Sequence, residues 1–335
     1  MKTSPLLSIC IPSYNRADLL AECLNSIFLS AQGYEDQLEV IVADNASTDH
    51  TREIMASFQQ KFPLLVYYRH ESNIGAERNF RHVASLADGE FIWVCGDDDR
   101  IAPDAIGEVI KKISQSFDLL ICNYSMWKKD FSECINPMVL NRQDQIFFDK
   151  NDVLATLGLN LGYISSVIIR NDLFFKLPAS DYEAYVDFGF PFVYAVYSGL
   201  DNPCRVAYIA QPLVLNRTAN TGAYDWYKYF VVGSSLIFNE LLDRGYEKWS
   251  VDSAKKKVVR QYVIHDLLVK KRDGIALRKY LKLMFPFYRS YFIFWGVILP
   301  IFLIPPGMVW FVWWSIKRIK SIKNSFMSPK GNQSI

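Results

Sequence analysis

Asp97, Asp98 and Asp99 stand in a row directly behind the apolar run Phe91 to Cys95. Like charges that close raise one another's pKa and repel, so such a row is unfavourable unless something positive faces it. A divalent cation meets that need, and Mg2+ or Mn2+ prefers carboxylates shared with substrate phosphates. Asp97, Asp98 and Asp99 are therefore candidate metal ligands. The plainer alternative is a solvated turn before Pro103, with one aspartate capping the next helix. Two further polar clusters follow apolar runs in the same way: Ser13-Tyr-Asn-Arg16, and Asp44-Asn-Ala-Ser-Thr-Asp49.

The elements that would carry these clusters alternate in type. Leu7 to Pro12 reads as a buried strand, and Arg16 to Ser30 as a helix with Leu19, Leu20, Cys23, Leu24, Ile27 and Phe28 on one face. Strands at 39–43, 64–68, 91–95 and 118–122 then alternate with helices at 51–62, 75–86 and 103–113. Continuous apolar strands alternating with helices imply an α/β fold, a mostly parallel sheet with helices on both faces. Ligands of such sheets bind beyond the carboxyl ends of the strands, which is where the polar clusters fall.

Four ordered stretches carry a resemblance. Ser8-Ile-Cys-Ile-Pro-Ser-Tyr-Asn-Arg16, Val42-Ala-Asp-Asn-Ala-Ser-Thr-Asp49, Asn73-Ile-Gly-Ala-Glu-Arg-Asn79 and Gly89-Glu-Phe-Ile-Trp-Val-Cys-Gly-Asp-Asp-Asp99 resemble the blocks of family 2 glycosyltransferases with the GT-A (Rossmann-like) fold. The resemblance covers about Leu6 to Ile113. It implies a nucleotide-diphosphosugar donor, a divalent metal (Mn2+ or Mg2+) and inversion at the anomeric carbon. By the same resemblance Pro12 and Tyr14 wall the nucleoside, Asp44 reads the base, Arg78 approaches it, and Asp97 belongs to a DxD motif that meets ribose and metal. Arg16 and Asn45, in the same clusters, join the donor-binding set. In the register set by Pro103, Gly96 stands where the family has its first aspartate. That register favours Asp98 as metal ligand, whereas a literal DxD favours Asp97 and Asp99.

An inverting transfer also needs a base for the acceptor hydroxyl. The family supplies it from a Glu-Asp pair at the head of an aromatic-rich helix, and the matching stretch here is Asp181-Tyr-Glu-Ala-Tyr-Val-Asp187. Spacing to Gly199 points to Asp187, with Val186 in place of the partner glutamate; Glu183 and Asp181 remain candidates. Arg217, closing Ala210 to Arg217, resembles the family's arginine near the diphosphate, without the histidine that often accompanies it. The resemblance is strongest to enzymes of bacterial O-antigen and capsule assembly, deoxysugar transferases among them. A nucleotidyltransferase is the first alternative, but those open on a glycine-rich loop and Ser13 to Arg16 has no glycine. A non-catalytic, membrane-bound sugar-nucleotide or glycan-binding protein is the second, and the intact triplet speaks against it.

The chain has 335 residues, half of them hydrophobic, with a net charge of +2 that hides a split. Residues 1–250 hold 21 Lys and Arg against 32 Asp and Glu, whereas 251–335 hold 16 against 3. Such a split points to an anionic surface for the C-terminal part. Tyr291 to Trp314 is an uncharged run of 24 residues between basic flanks, interrupted by Pro300, Pro305 and Pro306. Basic residues on both sides give no direction for a span. The expectation is therefore a monotopic re-entrant or interfacial anchor, bent near 304–307, on the cytoplasmic face of a bacterial inner membrane. A lipid-linked saccharide acceptor fits that place, and nucleic acid does not, because it leaves the apolar run unexplained. The six cysteines form no CxxC pair and read as core residues of a reducing compartment, and no signal pattern opens the chain. The expected organisation is a GT-A domain over 1–222 (donor half 1–125, acceptor half 126–222). A helical basic region over 223–323, with its anchor at 288–316, and a disordered 324–335 follow.

Overall fold

The computed structural model describes residues 4–62, 65–140, 143–218, 226–305 and 308. Its N-terminal part alternates β1 (Leu7–Ser13), α1 (Ala17–Ser30), β2 (Leu38–Asp44), α2 (Thr51–Lys61), β3 (Leu65–Arg69), α3 (Ala76–Ser85) and β4 (Phe91–Val94). Next come β5 (Arg100–Ile101), α4 (Ala105–Ile113) and β6 (Leu119–Trp127). The short β7 (Cys134–Asn136) and β8 (Gln145–Phe147) precede α5 (Lys150–Leu157), β9 (Val167–Arg170), α6 (Asn171–Phe174), α7 (Ala179–Glu183) and α8 (Pro191–Gly199). The long β10 (Val206–Arg217) is followed only by helices: α9 (Ser234–Asp243), α10 (Lys248–Val258), α11 (Ile264–Arg272), α12 (Arg278–Tyr288) and α13 (Leu299–Leu303).

These strands make one sheet in the order β3-β2-β1-β4-β9-β6-β10-β5, with β7 on β6 and β8 on β10. Alternation along each strand gives it two apolar faces. Leu7, Ile9 and Ile11 of β1 point towards α1, α2 and α4, while Cys10 joins Ile41, Ile92 and Ile121 on the other face. That second face is covered by α3, α5 and α8 and, in the same cluster, by the C-terminal helices.

The mostly parallel sheet expected from the alternation is instead mixed, with four parallel strand pairings and five antiparallel. β1 to β4 keep the parallel half, because each crossover there has a helix long enough to return the chain. β9 breaks the pattern by running antiparallel between β4 and β6. Its four residues follow a loop with no helix of crossover length, so the chain enters the sheet from the other end.

The C-terminal apolar run is not free of the protein. Tyr291 leads into a π-helical turn, Phe294–Ile298, and then α13. Phe294, Ile298 and Ile301 are buried in the second-face cluster, beside Tyr288 of α12. Residues 306–307 and 309–314 of that run lie outside the described residues, so most of the expected bend and the whole second arm do too; the tail at 324–335 lies outside as well. Among the described residues no helix is long and apolar enough to cross a membrane. One side of the first arm belongs to the protein core, and stability should register it. Ile298→Ala, at a fully buried site, should lower the unfolding free energy by about 2–4 kcal/mol. Leu303→Ala, 74% exposed, should change it by no more than about 0.5 kcal/mol. Denaturant unfolding of the two variants reads the difference, and equal values would mean that the run does not dock on the chain.

Candidate active site

The carboxyl ends of β1, β2 and β4 open on one cleft of about 540 Å3, lined by Pro12, Ser13, Tyr14, Arg16, Asn45, Gly96 and the aspartate triplet. Asn73, Gly75, Ala76, Asn79 and Phe80 at the head of α3, the turn Gly162 to Ser165, and Asn216 from β10 complete it. A cavity of that size is in the range of small-molecule sites.

The triplet is fixed by neighbours from distant parts of the chain. Asp97 is buried; its Oδ2 accepts from Ser13 Oγ at 2.7 Å and its Oδ1 from Arg16 Nη1 at 2.9 Å. Asp99, also buried, accepts from Tyr163 Oη at 2.7 Å, Ser165 Oγ at 2.6 Å and Asn216 Nδ2 at 3.2 Å. Asp98 keeps more contact with solvent and meets the same Arg16 Nη1 at 3.2 Å. Burial pushes the Asp97 carboxyl up to about 6 and Asp99 up to about 7, and the Asp98 charge adds to both. Arg16 lowers Asp97, and Ser165, Tyr163 and Asn216 lower Asp99, but not enough to offset burial. The guanidinium itself is raised, because Asp97 and Asp98 outweigh its own desolvation.

Asp97 and Asp98 thus share the Arg16 guanidinium, and Asp97 and Asp99 are held towards neutrality by burial. Hard oxygen donors with excess negative charge fit a divalent cation, and Asp98, the most accessible, is placed to offer it an oxygen. No group of three or more His, Cys, Asp or Glu forms a ready cage among the described residues. Mg2+ and Mn2+ bind through one or two carboxylates together with substrate phosphates.

The rim is stitched by loop-to-loop bonds. Asn15 N–H donates to Ser47 Oγ at 2.9 Å, Thr48 N–H to Asn15 Oδ1 at 2.7 Å, and Ala17 N–H to Asp49 Oδ2 at 3.0 Å. Asp49 thereby satisfies a free donor at the start of α1 from across the cleft. Asn15 and Ala46 both adopt positive φ, at 52° and 64°. Asparagine tolerates that region, whereas alanine there is strained by about 1 kcal/mol.

Pro12, Tyr14, Arg16, Asn45, Asp97, Asp98 and Asp99 meet in the cleft, and the other candidates do not line it. Asp44 is buried beside it and already engaged by Ser47 N–H, Tyr67 Oη and Arg69. Arg78 turns outward and grips Glu183 with Nε and Nη2, facing Asp187 as well. Arg217 is buried behind the triplet, donating to the carbonyls of Asp98 and Lys129 and to the Glu22 carboxylate. Asp181 is paired with Arg244 at 2.6 Å. Asp187 sits exposed in the turn Val186–Phe188, ahead of α8.

Several lining residues carried no signal in the sequence. Tyr163 and Ser165 lie in an irregular turn with no periodicity, and only the fold brings them to Asp99. Asn216 was visible only as the neighbour of Arg217. Glu77, on α3, is pushed up to about 7 by burial while it accepts the Phe190 N–H at the head of α8. That contact ties the donor side of the cleft to the segment bearing Asp187.

Comparison with known proteins places this geometry. Residues 8–170 match the family described as Glycosyl transferase family 2. Over 228 residues the chain is 31% identical to abequosyltransferase RfbV of Salmonella typhimurium, covering 64% of this chain and 67% of that one. It is 29% identical over 114 residues to a GalNAc(5)-diNAcBac-PP-undecaprenol beta-1,3-glucosyltransferase of Campylobacter jejuni, covering 34% and 36% of the two chains. The fold resembles that of S. aureus TarS 1–349 in complex with UDP-GlcNAc, with a TM-score of 0.63 at 17% identity over 83% of this chain and 78% of that one. With its motif blocks on a GT-A-like α/β frame and its acidic cleft at the strand ends, the chain belongs to glycosyltransferase family 2.

Proposed function

We propose that this glycosyltransferase moves a sugar from a nucleotide-diphosphosugar to a hydroxyl of a lipid-linked saccharide, with a divalent metal and with inversion, in bacterial surface polysaccharide assembly. The observation that carries the reading is the row of Asp97, Asp98 and Asp99 lining the cleft at the strand ends, with the Arg16 guanidinium paired to Asp97 and Asp98. The likeness to an abequosyltransferase favours a deoxysugar donor and an O-antigen type of acceptor. The undecaprenol named for the Campylobacter relative favours a lipid carrier. A carrier of that kind places the enzyme at the cytoplasmic face of the inner membrane, against an anionic lipid surface.

In this reading Tyr14 and Pro12 wall the nucleoside and Asn45 supplies polar contacts at the rim. Asp98, with Asp97 or Asp99 beside it, would hold the cation, which when bound neutralises the diphosphate as it leaves. Arg16 is close enough to the triplet to meet the same phosphates. Asp44 acts on the donor through the loop it organises, and Arg217 fixes the Asp98 carbonyl from behind. On the acceptor side Asp187 takes the hydroxyl proton while the new C–O bond forms at the anomeric carbon and the bond to the diphosphate breaks. Asp181 and Glu183 serve less well as bases, because arginines neutralise both.

Asp98→Asn should lower turnover by a factor on the order of 10² or more with the fold intact, since the residue lies at the cleft mouth. The readout is nucleotide release from the active member of a nucleotide-sugar panel, with and without Mn2+. Full activity in excess EDTA would sink the metal requirement. Asp187→Asn should reduce the rate by a factor on the order of 10² or more while donor affinity stays nearly constant, because a base acts on the acceptor. A near wild-type Asp187→Asn beside an inactive Glu183→Gln would instead move the base one helical turn earlier.

A further inference from the structure

The first arm of the apolar run has two unlike faces. Phe294, Ile298 and Ile301 face the protein, whereas Phe292 is 86% exposed, Trp295 52% and Leu303 74%. Leu299 and Pro300 fall between them at helical spacing, so the outer face is an unbroken apolar stripe. Large apolar residues contiguous on a surface mark a contact with something other than water.

Charge around the stripe says what that contact is. The acids of residues 251–335 number only three, and each is already paired: Asp252 with Lys248, Asp266 with Lys270, Asp273 with Arg272. Arg278, Lys279, Lys282 and Arg289 are exposed on α12 and just after it, and no carboxylate pairs with them among the described residues. Cation and apolar surface are also physically joined. Arg289 stacks over the exposed Phe285 ring at 5.5 Å, and Trp295 Nε1 donates to the Arg289 carbonyl at 2.6 Å.

We propose that this stripe is the membrane-contacting surface of the enzyme. The helical arm lies in the plane of an anionic bilayer, with Phe292, Trp295, Leu299 and Leu303 at the boundary of headgroups and acyl chains. Arg278, Lys279, Lys282 and Arg289 meet lipid phosphates beside it. The inference rests on the membrane reading above and narrows it: the opposite face of the same arm stays docked on the protein, so this arm does not enter the leaflet alone. An aromatic and aliphatic face rimmed by lysine and arginine is what an interfacial helix requires. A second copy of the chain would set cations against cations. The chain's own residues 309–316 would do the same, because Lys317, Arg318, Lys320 and Lys323 follow them directly.

Sedimentation of the full chain with vesicles of phosphatidylcholine, alone or mixed with phosphatidylglycerol, tests this. The wild type should bind the mixed vesicles and lose binding as salt rises. Trp295→Glu with Leu303→Glu, and separately Lys282→Glu with Arg289→Glu, should each weaken binding by about tenfold or more. Both double variants should keep the wild-type melting temperature, since the four side chains are exposed. If the wild type binds neither vesicle, the membrane reading itself falls and takes this surface with it. If the wild type binds and both double variants bind equally well, only the assigned surface is wrong. Release by Trp313→Glu with Trp314→Glu alone also overturns it. So does a wild-type dimer that the Trp295 and Leu303 changes dissociate.

Discussion

Everything in the cleft depends on one electrostatic problem, the placing of three consecutive carboxylates at the end of a buried strand. Water is not available to solvate Asp97 and Asp99, so protein dipoles must do it, and they come from three separate elements. Ser13 arrives from β1, Tyr163 and Ser165 from the turn before β9, and Asn216 from β10. The Arg16 guanidinium offsets the charge of Asp97 and Asp98 directly. Those hydrogen bonds favour the charged carboxylates, but burial outweighs them and leaves both Asp97 and Asp99 raised. The folded chain is therefore left with a site that favours a further cation and an anionic ligand bridging to it.

Gly96 is part of the same solution. A Cβ there would lie 3.1 Å from Asp99 Oδ2 and 3.2 Å from Asp98 Oδ1, tighter than ordinary contact. Where the family resemblance leads one to expect an aspartate, this chain has the only residue without a side chain to push the next carboxylates outward. Asp99 can then turn back towards Ser165 and Asn216, and Asp98 can point towards the mouth. The register question posed by Pro103 thus has a physical side. With a glycine at the first position, the second and third aspartates divide into one buried carboxylate, Asp99, and one more accessible, Asp98.

The parts of the chain that could be read in advance are those governed by local rules. Alternating apolar runs and helical faces located β1 to β4 and their helices within a residue or two, because local periodicity and burial coincide there. The triplet, Arg16 and Asn45 could be placed because they sit on turns directly attached to those strands. What escaped were contacts made by topology. β9 is four residues long, runs against its neighbours and has no helical crossover, so nothing nearby in the chain announces it. Tyr163 and Ser165 reach Asp99 only because β9 inserts between β4 and β6. Arg78 shows the same effect from the other side: a charged residue in a motif block is held outside the cleft by Glu183, more than a hundred residues later.

The same partition explains how the two ends of the chain cooperate. α3 begins in the cleft with Ala76 and Asn79. Its outward residues hold the acceptor-side segment, Arg78 through Glu183 and Arg81 through the Leu177 carbonyl at 2.9 Å. From there contact continues into the C-terminal helices. Gly233, in the π-helical turn before α9, approaches the Phe188 carbonyl so closely that a Cβ would come within 1.9 Å of it. The turn carrying Asp187 is thus clamped between α3 and the helical region that also seats the apolar arm. Because both contacts are backbone or ion-pair contacts with little slack, the helical region is not an appendage to the sheet. It packs against the turn that carries Asp187 and so fixes where that turn stands relative to the sheet.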